Sequence, residues 1–148
     1  MPASPPSDHD VPEGVLRVSE TDADGFLQDI RSGDNHTAIA DEPLSFGGTN
    51  KGMTPYGFLS AALGACTSMT IRMYARRKKM ALTHVIVYIT HTNIHSVDAE
   101  TPVKTKMEVL ERHTSLPGDL PDAALDPPLL AAAPCALHHL MNHTPPHL

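Results

Sequence analysis

Thr54-Pro55-Tyr56-Gly57-Phe58-Leu59-Ser60-Ala61-Ala62-Leu63-Gly64-Ala65-Cys66-Thr67-Ser68-Met69-Thr70 is the stretch from which the fold is read. Thr54 offers a hydroxyl to cap a helix, and Pro55 suits the first helical position, where its missing N–H costs nothing. From Tyr56 to Met80 there is no proline, and the only glycines are Gly57 and Gly64. Phe58, Ala62, Ala65, Met69 and Met73 fall on one helical face, and Leu59, Leu63, Cys66 and Thr70 on an adjoining one. Two adjoining apolar faces predict a helix whose first four turns are buried nearly all round. Ala61, Ala62, Gly64 and Ala65 are small enough for another backbone to come close. Arg72, Arg76, Arg77, Lys78 and Lys79 then supply positive charge at the negative end of the helix dipole, which reads as a solvated helix end.

Working outward, the flanks read as strands. Val15 to Glu20 is a short β-favouring run, closed by the turn residues Asp22, Asp24 and Gly25. Phe26 to Arg31 alternates, Ser32-Gly33-Asp34-Asn35 turns the chain again, and His36 to Asp41 reads as a third strand. Tight turns between short strands predict an antiparallel meander. Glu42 to Met53 is a glycine-containing loop. Beyond the helix, Thr83 to Thr92 is apolar on both faces and predicts a central strand. Val103 to Glu111 predicts a strand with one wet face, that of Lys104, Lys106 and Glu108. Asp119 to Asp126 and Leu129 to His143 read as two short helices separated by Pro127-Pro128. Strands, helix, strands and helix in that order give an α+β fold.

Composition narrows the function. The 148 residues suit one domain, residues 15–148, preceded by a disordered lead-in over residues 1–14 that is rich in Pro, Ser and Asp. With 41% hydrophobic residues and no Trp, the core must be built from aliphatic side chains, Met and Ala. A net charge of -6 argues against nucleic acid as a partner, because phosphate binding needs Lys and Arg to displace counterions. No run approaches the about 20 apolar residues of a membrane span, so no membrane partner is expected. The lead-in lacks the basic start and apolar run of an export signal, which points to the cytoplasm. In that reducing compartment a permanent disulfide between the two cysteines is not expected, and a reactive or metal-binding role gains weight against that of two inert buried thiols.

Cys66 sits three turns into the helix. It gains nothing there from a helix N-terminus, and burial raises a thiol pKa, so it is inert unless the fold supplies a cation, such as an arginine from a strand crossing the helix. Cys135, if close, would turn one thiol into a redox pair, one cysteine attacking and the other resolving. Cys135, His139 and His143 recur every four residues and have the softness to bind zinc or copper. Three ligands on one helix leave the site wide open, so an exposed histidine-rich tail is the preferred reading and no metal or cofactor is expected. His84, His91 and His95 read as ordinary surface residues.

The helix stretch closely resembles the motif of the OsmC/Ohr family, in the OsmC-like branch that also occurs fused to α/β-hydrolase domains. Ile71-Arg72-Met73-Tyr74-Ala75 continues the match, Ala40-Asp41-Glu42-Pro43 and Gly47-Gly48 resemble the loop before the helix, and Pro134-Cys135-Ala136-Leu137-His138 resembles the family's second cysteine motif. The resemblance spans residues 15–140. It implies antiparallel sheets wrapped around a long central helix, in an intertwined homodimer with a site at the dimer interface. It also implies reduction of an organic hydroperoxide: Cys66 attacks, Cys135 resolves, a dithiol reductant resets the pair, and an arginine held by a carboxylate stabilises the thiolate.

Three places depart from the family pattern, one of them Ala136, where the family's second cysteine is usually followed by proline. Gly57 stands where the family often has a first-turn glutamate, and Leu44-Ser45-Phe46 holds none of the arginines that peroxidase members can place there. Arg31, or Arg17 on a neighbouring strand, is the substitute, and Arg31 is the residue taken here. The alternative is a non-catalytic dimer of the same fold that binds a small hydrophobic ligand or a protein partner.

Overall fold

The computed structural model describes residues 11–97 and 104–117, which fall into two units parting after Phe58. In the first unit, β1 (Leu16–Glu20), β2 (Gln28–Ser32) and β3 (Thr37–Ala40) form an antiparallel sheet in the order β1-β2-β3. The expected meander is present, and local chemistry makes its turns. The Asp24 N–H donates to Asp22 Oδ1 at 3.0 Å. Asn35 takes the left-handed conformation (φ 63), one that asparagine tolerates, and its N–H donates to the Ser32 carbonyl. Val18 pairs with Ile30, and Ile30 with Ala38, so the apolar residues of all three strands share one face.

The loop after β3 makes a single 3₁₀ turn, Leu44–Phe46, ended by Gly47 in the left-handed conformation at φ 86. At Gly48 a Cβ would collide with the Glu42 carbonyl, so this position requires glycine. The helix α1, Pro55–Arg77, begins as the sequence predicts: the Gly57 N–H donates to Thr54 Oγ1 at 3.0 Å.

The second unit takes up the helix from Leu59 and adds β4 (Ile86–Val97) and β5 (Lys104–Ser115), paired antiparallel. The expected helix end at Met80 comes earlier. The Met80 N–H donates to the Ala75 carbonyl and the Lys79 N–H to that of Arg76, with Lys79 at φ 53. This is a Schellman cap with lysine in the place that glycine favours. It turns Met80 back onto Ile71, Ala75 and Leu82, the buried core of this unit, where Tyr74, Val85 and Leu116 also pack.

Three expectations change. The helix is not buried all round: its covered stripe is Leu63, Thr67, Ile71 and Ala75, while Met69 and Met73 are 71% and 58% exposed. A single helix lying on one two-stranded sheet can bury only one stripe. β4 has one neighbour, β5, among the described residues, so it is not a central strand there. β5 also runs on past Glu111 to Ser115; Glu108 on the expected wet face is exposed, while further along that face Leu110 and Arg112 are half-buried and Arg112 reaches Thr67 of the helix. The expected helices over 119–126 and 129–143 lie outside the described residues.

Urea denaturation checks this packing. Ile71→Ala should cost about 2–5 kcal/mol through the cavity it leaves. Lys79→Gly should stabilise by about 1 kcal/mol by relieving the left-handed lysine.

Candidate functional site

Cys66 lies mid-helix and is half-buried. Its carbonyl accepts a hydrogen bond from Thr70 Oγ1 at 2.8 Å, a back-bond that adds a second donor to the turn. The next residue, Thr67, is 0% exposed and belongs to the stripe on β4–β5. Arg112 Nη1 of β5 donates to Thr67 Oγ1 at 3.3 Å. In register Arg112 lies opposite Ile89, and a Cβ on Gly64 would sit 3.5 Å from the Ile89 side chain. Residues directly opposite in an antiparallel pair share a face. Gly64, Thr67 and the Ile89–Arg112 pair thus define where the cysteine turn crosses the sheet.

Further along the same face, His91 Nε2 and Glu108 Oε2 meet at 2.5 Å. His91 is therefore not the ordinary surface residue its sequence context suggests; it is a half-buried partner of Glu108. The basic helix end also differs from a merely solvated one. Arg72 donates to the carbonyls of Leu82 at 2.6 Å and Thr83 at 3.3 Å, tying the helix to the segment that follows it. Ser68, Met69, Arg72, Met73, Arg76 and His84 line an open cavity of about 510 Å³ along the helix.

Of the residues singled out from sequence, Cys66 and Arg31 are described and Cys135 lies outside the described residues. Arg31 belongs to the first unit. Its Nε donates to Asp29 Oδ2 at 2.8 Å, and its side chain is 58% exposed. Arg17, directly across the strand pair, approaches the same carboxylate oxygen at 3.7 Å. Asp29 is thus a carboxylate that holds arginine. Gly57 contributes no side chain, and a Cβ there would press on Met53 and Thr54 at 3.3 Å. Arg112 is the residue the sequence reading missed. Glu111-Arg112-His113 looks like the polar end of a strand; counting alternate residues from Leu110 would have put Arg112 on the helix side.

Among the described residues no group of three or more His, Cys, Asp or Glu could hold a metal ion. His139 and His143, like Cys135, lie outside them. Nor is any helix among them long and apolar enough to cross a membrane.

A family model for OsmC-like protein matches residues 48–147. The chain belongs to the OsmC-like family. No curated protein sequence matches it. Among solved structures it is similar to an OsmC-like protein of Mycoplasma pneumoniae, with 15% identity, TM-score 0.67, and 88% of this chain and 87% of that one covered. It is similar too to an organic hydroperoxide resistance protein OsmC of Legionella pneumophila, described as a predicted redox protein, at 18% identity, TM-score 0.63 and coverage of 87% and 88%. A third is an organic hydroperoxide resistance protein of Elizabethkingia anophelis with bound thiocyanate, at 15% identity, TM-score 0.62 and coverage of 88% and 89%. At these identities the likeness is one of fold: mixed α+β with one long helix and antiparallel sheets.

The loop that leads into the family helix is pinned by the buried Asp41. Its Oδ2 accepts from the Thr49 hydroxyl at 2.6 Å and from the Thr49 and Lys51 N–H groups, and its Oδ1 from the Glu42 N–H. The Thr49 hydroxyl foremost, with the backbone N–H groups, holds the carboxyl below its usual range against the opposing effect of burial. A carboxyl whose pKa is lower folded than unfolded stabilises the fold above its unfolded value of about 3.9, and this is lost as pH falls through the folded value. Melting followed by circular dichroism should show Asp41→Asn lowering Tm at neutral pH. It should also show the gap to the wild type closing as the pH is lowered through and below about 4.

Proposed function

We propose that the chain reduces organic hydroperoxides by thiol chemistry, as part of defence against oxidative stress. The observation that carries the reading is the half-buried Cys66, set in the family's helix motif on a turn that an arginine touches through Thr67. A half-buried thiol is partly accessible to a peroxide, and a permanent cation touches the residue beside it in the chain. The hydroperoxide-resistance relatives support the same direction.

The Cys66 thiolate attacks the terminal peroxide oxygen, the O–O bond breaks, and the departing alkoxide takes up a proton to leave as the alcohol. The resulting sulfenic acid is attacked at sulfur by the Cys135 thiolate; an S–S bond forms and water leaves. A dithiol reductant then regenerates both thiols by two exchanges and ends as a disulfide itself. Arg31, held on Asp29, is the strand arginine that we assign to the thiolate from the three-stranded sheet. The active form is a homodimer in the cytoplasm. Two exposed apolar surfaces favour that assembly: the Met69–Met73 stripe of the helix, and Leu16 and Val18 of the sheet.

A second reading has its own observation. Leu16, Val18, Ile30, Ala38 and Phe58 line an open, almost wholly apolar cavity of about 530 Å³ in the first unit. Such a surface fits a non-catalytic dimer that takes a small hydrophobic ligand or a partner protein there.

Steady-state assays with an organic hydroperoxide and a dithiol separate the two. Cys66→Ser should abolish turnover, and Cys135→Ser should leave one reduction per site and stop recycling. Turnover that persists in Cys66→Ser would contradict the peroxidase reading and favour the binding protein.

A further inference from the structure

A mid-helix thiol needs a cation that the helix itself does not provide, and β5 brings one to the turn that carries it. Arg112 Nη1 donates to Thr67 Oγ1 at 3.3 Å, and Thr67 is wholly buried beside Cys66 in the chain. Consecutive Cα atoms are about 3.8 Å apart, so a group in hydrogen-bond contact with Thr67 lies within one side-chain length of the Cys66 turn. We propose that Arg112 is a positioning residue of the Cys66 site, clamping this turn through Thr67 and holding a permanent positive charge against it. The proposal rests on the peroxidase reading and deepens it.

Arginine suits the role. Its guanidinium stays protonated at every working pH, and its five N–H donors sit in a rigid fork, so a single arginine can hold Thr67 and serve other acceptors at once. Thr67 suits it as well. The stripe is otherwise Leu63, Ile71 and Ala75, and a buried hydroxyl amid aliphatic side chains needs a partner. Arg112 provides one across the helix–sheet contact. The charged or titratable side chains that the described residues place on this sheet face are Arg112, His91 and Glu108. Glu108 and His91 meet at 2.5 Å.

The test is the pH dependence of Cys66 alkylation, followed on the Cys66 peptide in the intact folded protein. The wild type should label with a midpoint well below the about 8.5 of a free thiol. Arg112→Gln should raise that midpoint by about one pH unit, a tenfold loss of thiolate at neutral pH, and Arg112→Lys should restore most of it. A packing role alone would lower the melting temperature of Arg112→Gln without moving the midpoint. A low wild-type midpoint that Arg112→Gln leaves unchanged overturns the role of Arg112 and spares the peroxidase reading. A wild-type midpoint near 8.5 or above overturns both. If Arg112→Gln does not fold, Thr67→Val decides: it keeps the charge and frees it from the turn, so a raised midpoint supports the clamp and an unmoved one overturns it.

Discussion

The second unit depends on one narrow contact, the buried stripe of Leu63, Thr67, Ile71 and Ala75, which meets β5 at Arg112 and packs on Leu82, Val85 and Leu116 beside the strands. Three of the four are aliphatic and bind by exclusion of water, at roughly 25 cal/mol per Å² of apolar surface buried. Leu82, Met80 and Val85 enlarge that contact at the C-terminal end of the helix, where the Schellman cap folds the chain back onto it. The fourth member, Thr67, is polar. Its hydroxyl contributes no hydrophobic stabilisation and would be costly without a partner. That one position draws a charged strand residue into the contact, one residue away from the only cysteine among those described.

The same arithmetic explains what stays uncovered. A helix has room for more than one apolar stripe, and this one carries Ala62, Ala65, Met69 and Met73 beside the stripe that is buried. The single chain leaves Met69 and Met73 in water. Methionines are adaptable side chains, able to fill irregular gaps, and these two are the exposed apolar residues on which the proposed dimer contact draws. The apolar face of the three-stranded sheet has the same character.

Much of this could be read from the sequence where the determinants were local. The meander was legible because Asp22, Asp24 and Asn35 make their turns with their own side chains or backbone preferences. The helix start was legible because Thr54 and Pro55 act within one turn. The end was not: Lys79 takes a left-handed conformation that its own chemistry disfavours, for the sake of docking Met80. Nor could the sequence say which apolar stripe is buried, since that depends on the sheet that meets it. Of the candidate site, Cys66 was legible from its motif. Arg112 and the His91–Glu108 pair were not, because their facing is set by the β4–β5 register, which carries the strand through a polar stretch that reads as its end. Asp41 was visible as part of a matching loop, but its four hydrogen bonds come from residues as far as Lys51.

The central claim is that Cys66 is a peroxide-reactive thiol resolved by Cys135. The most direct measurement is the intact mass of the reduced protein after one equivalent of organic hydroperoxide, with peptide mapping of the product. The account predicts the loss of two hydrogens per chain and a single new cross-linked peptide joining Cys66 to Cys135. An unchanged mass, or added oxygen confined to the exposed methionines with both cysteines still free, would contradict it.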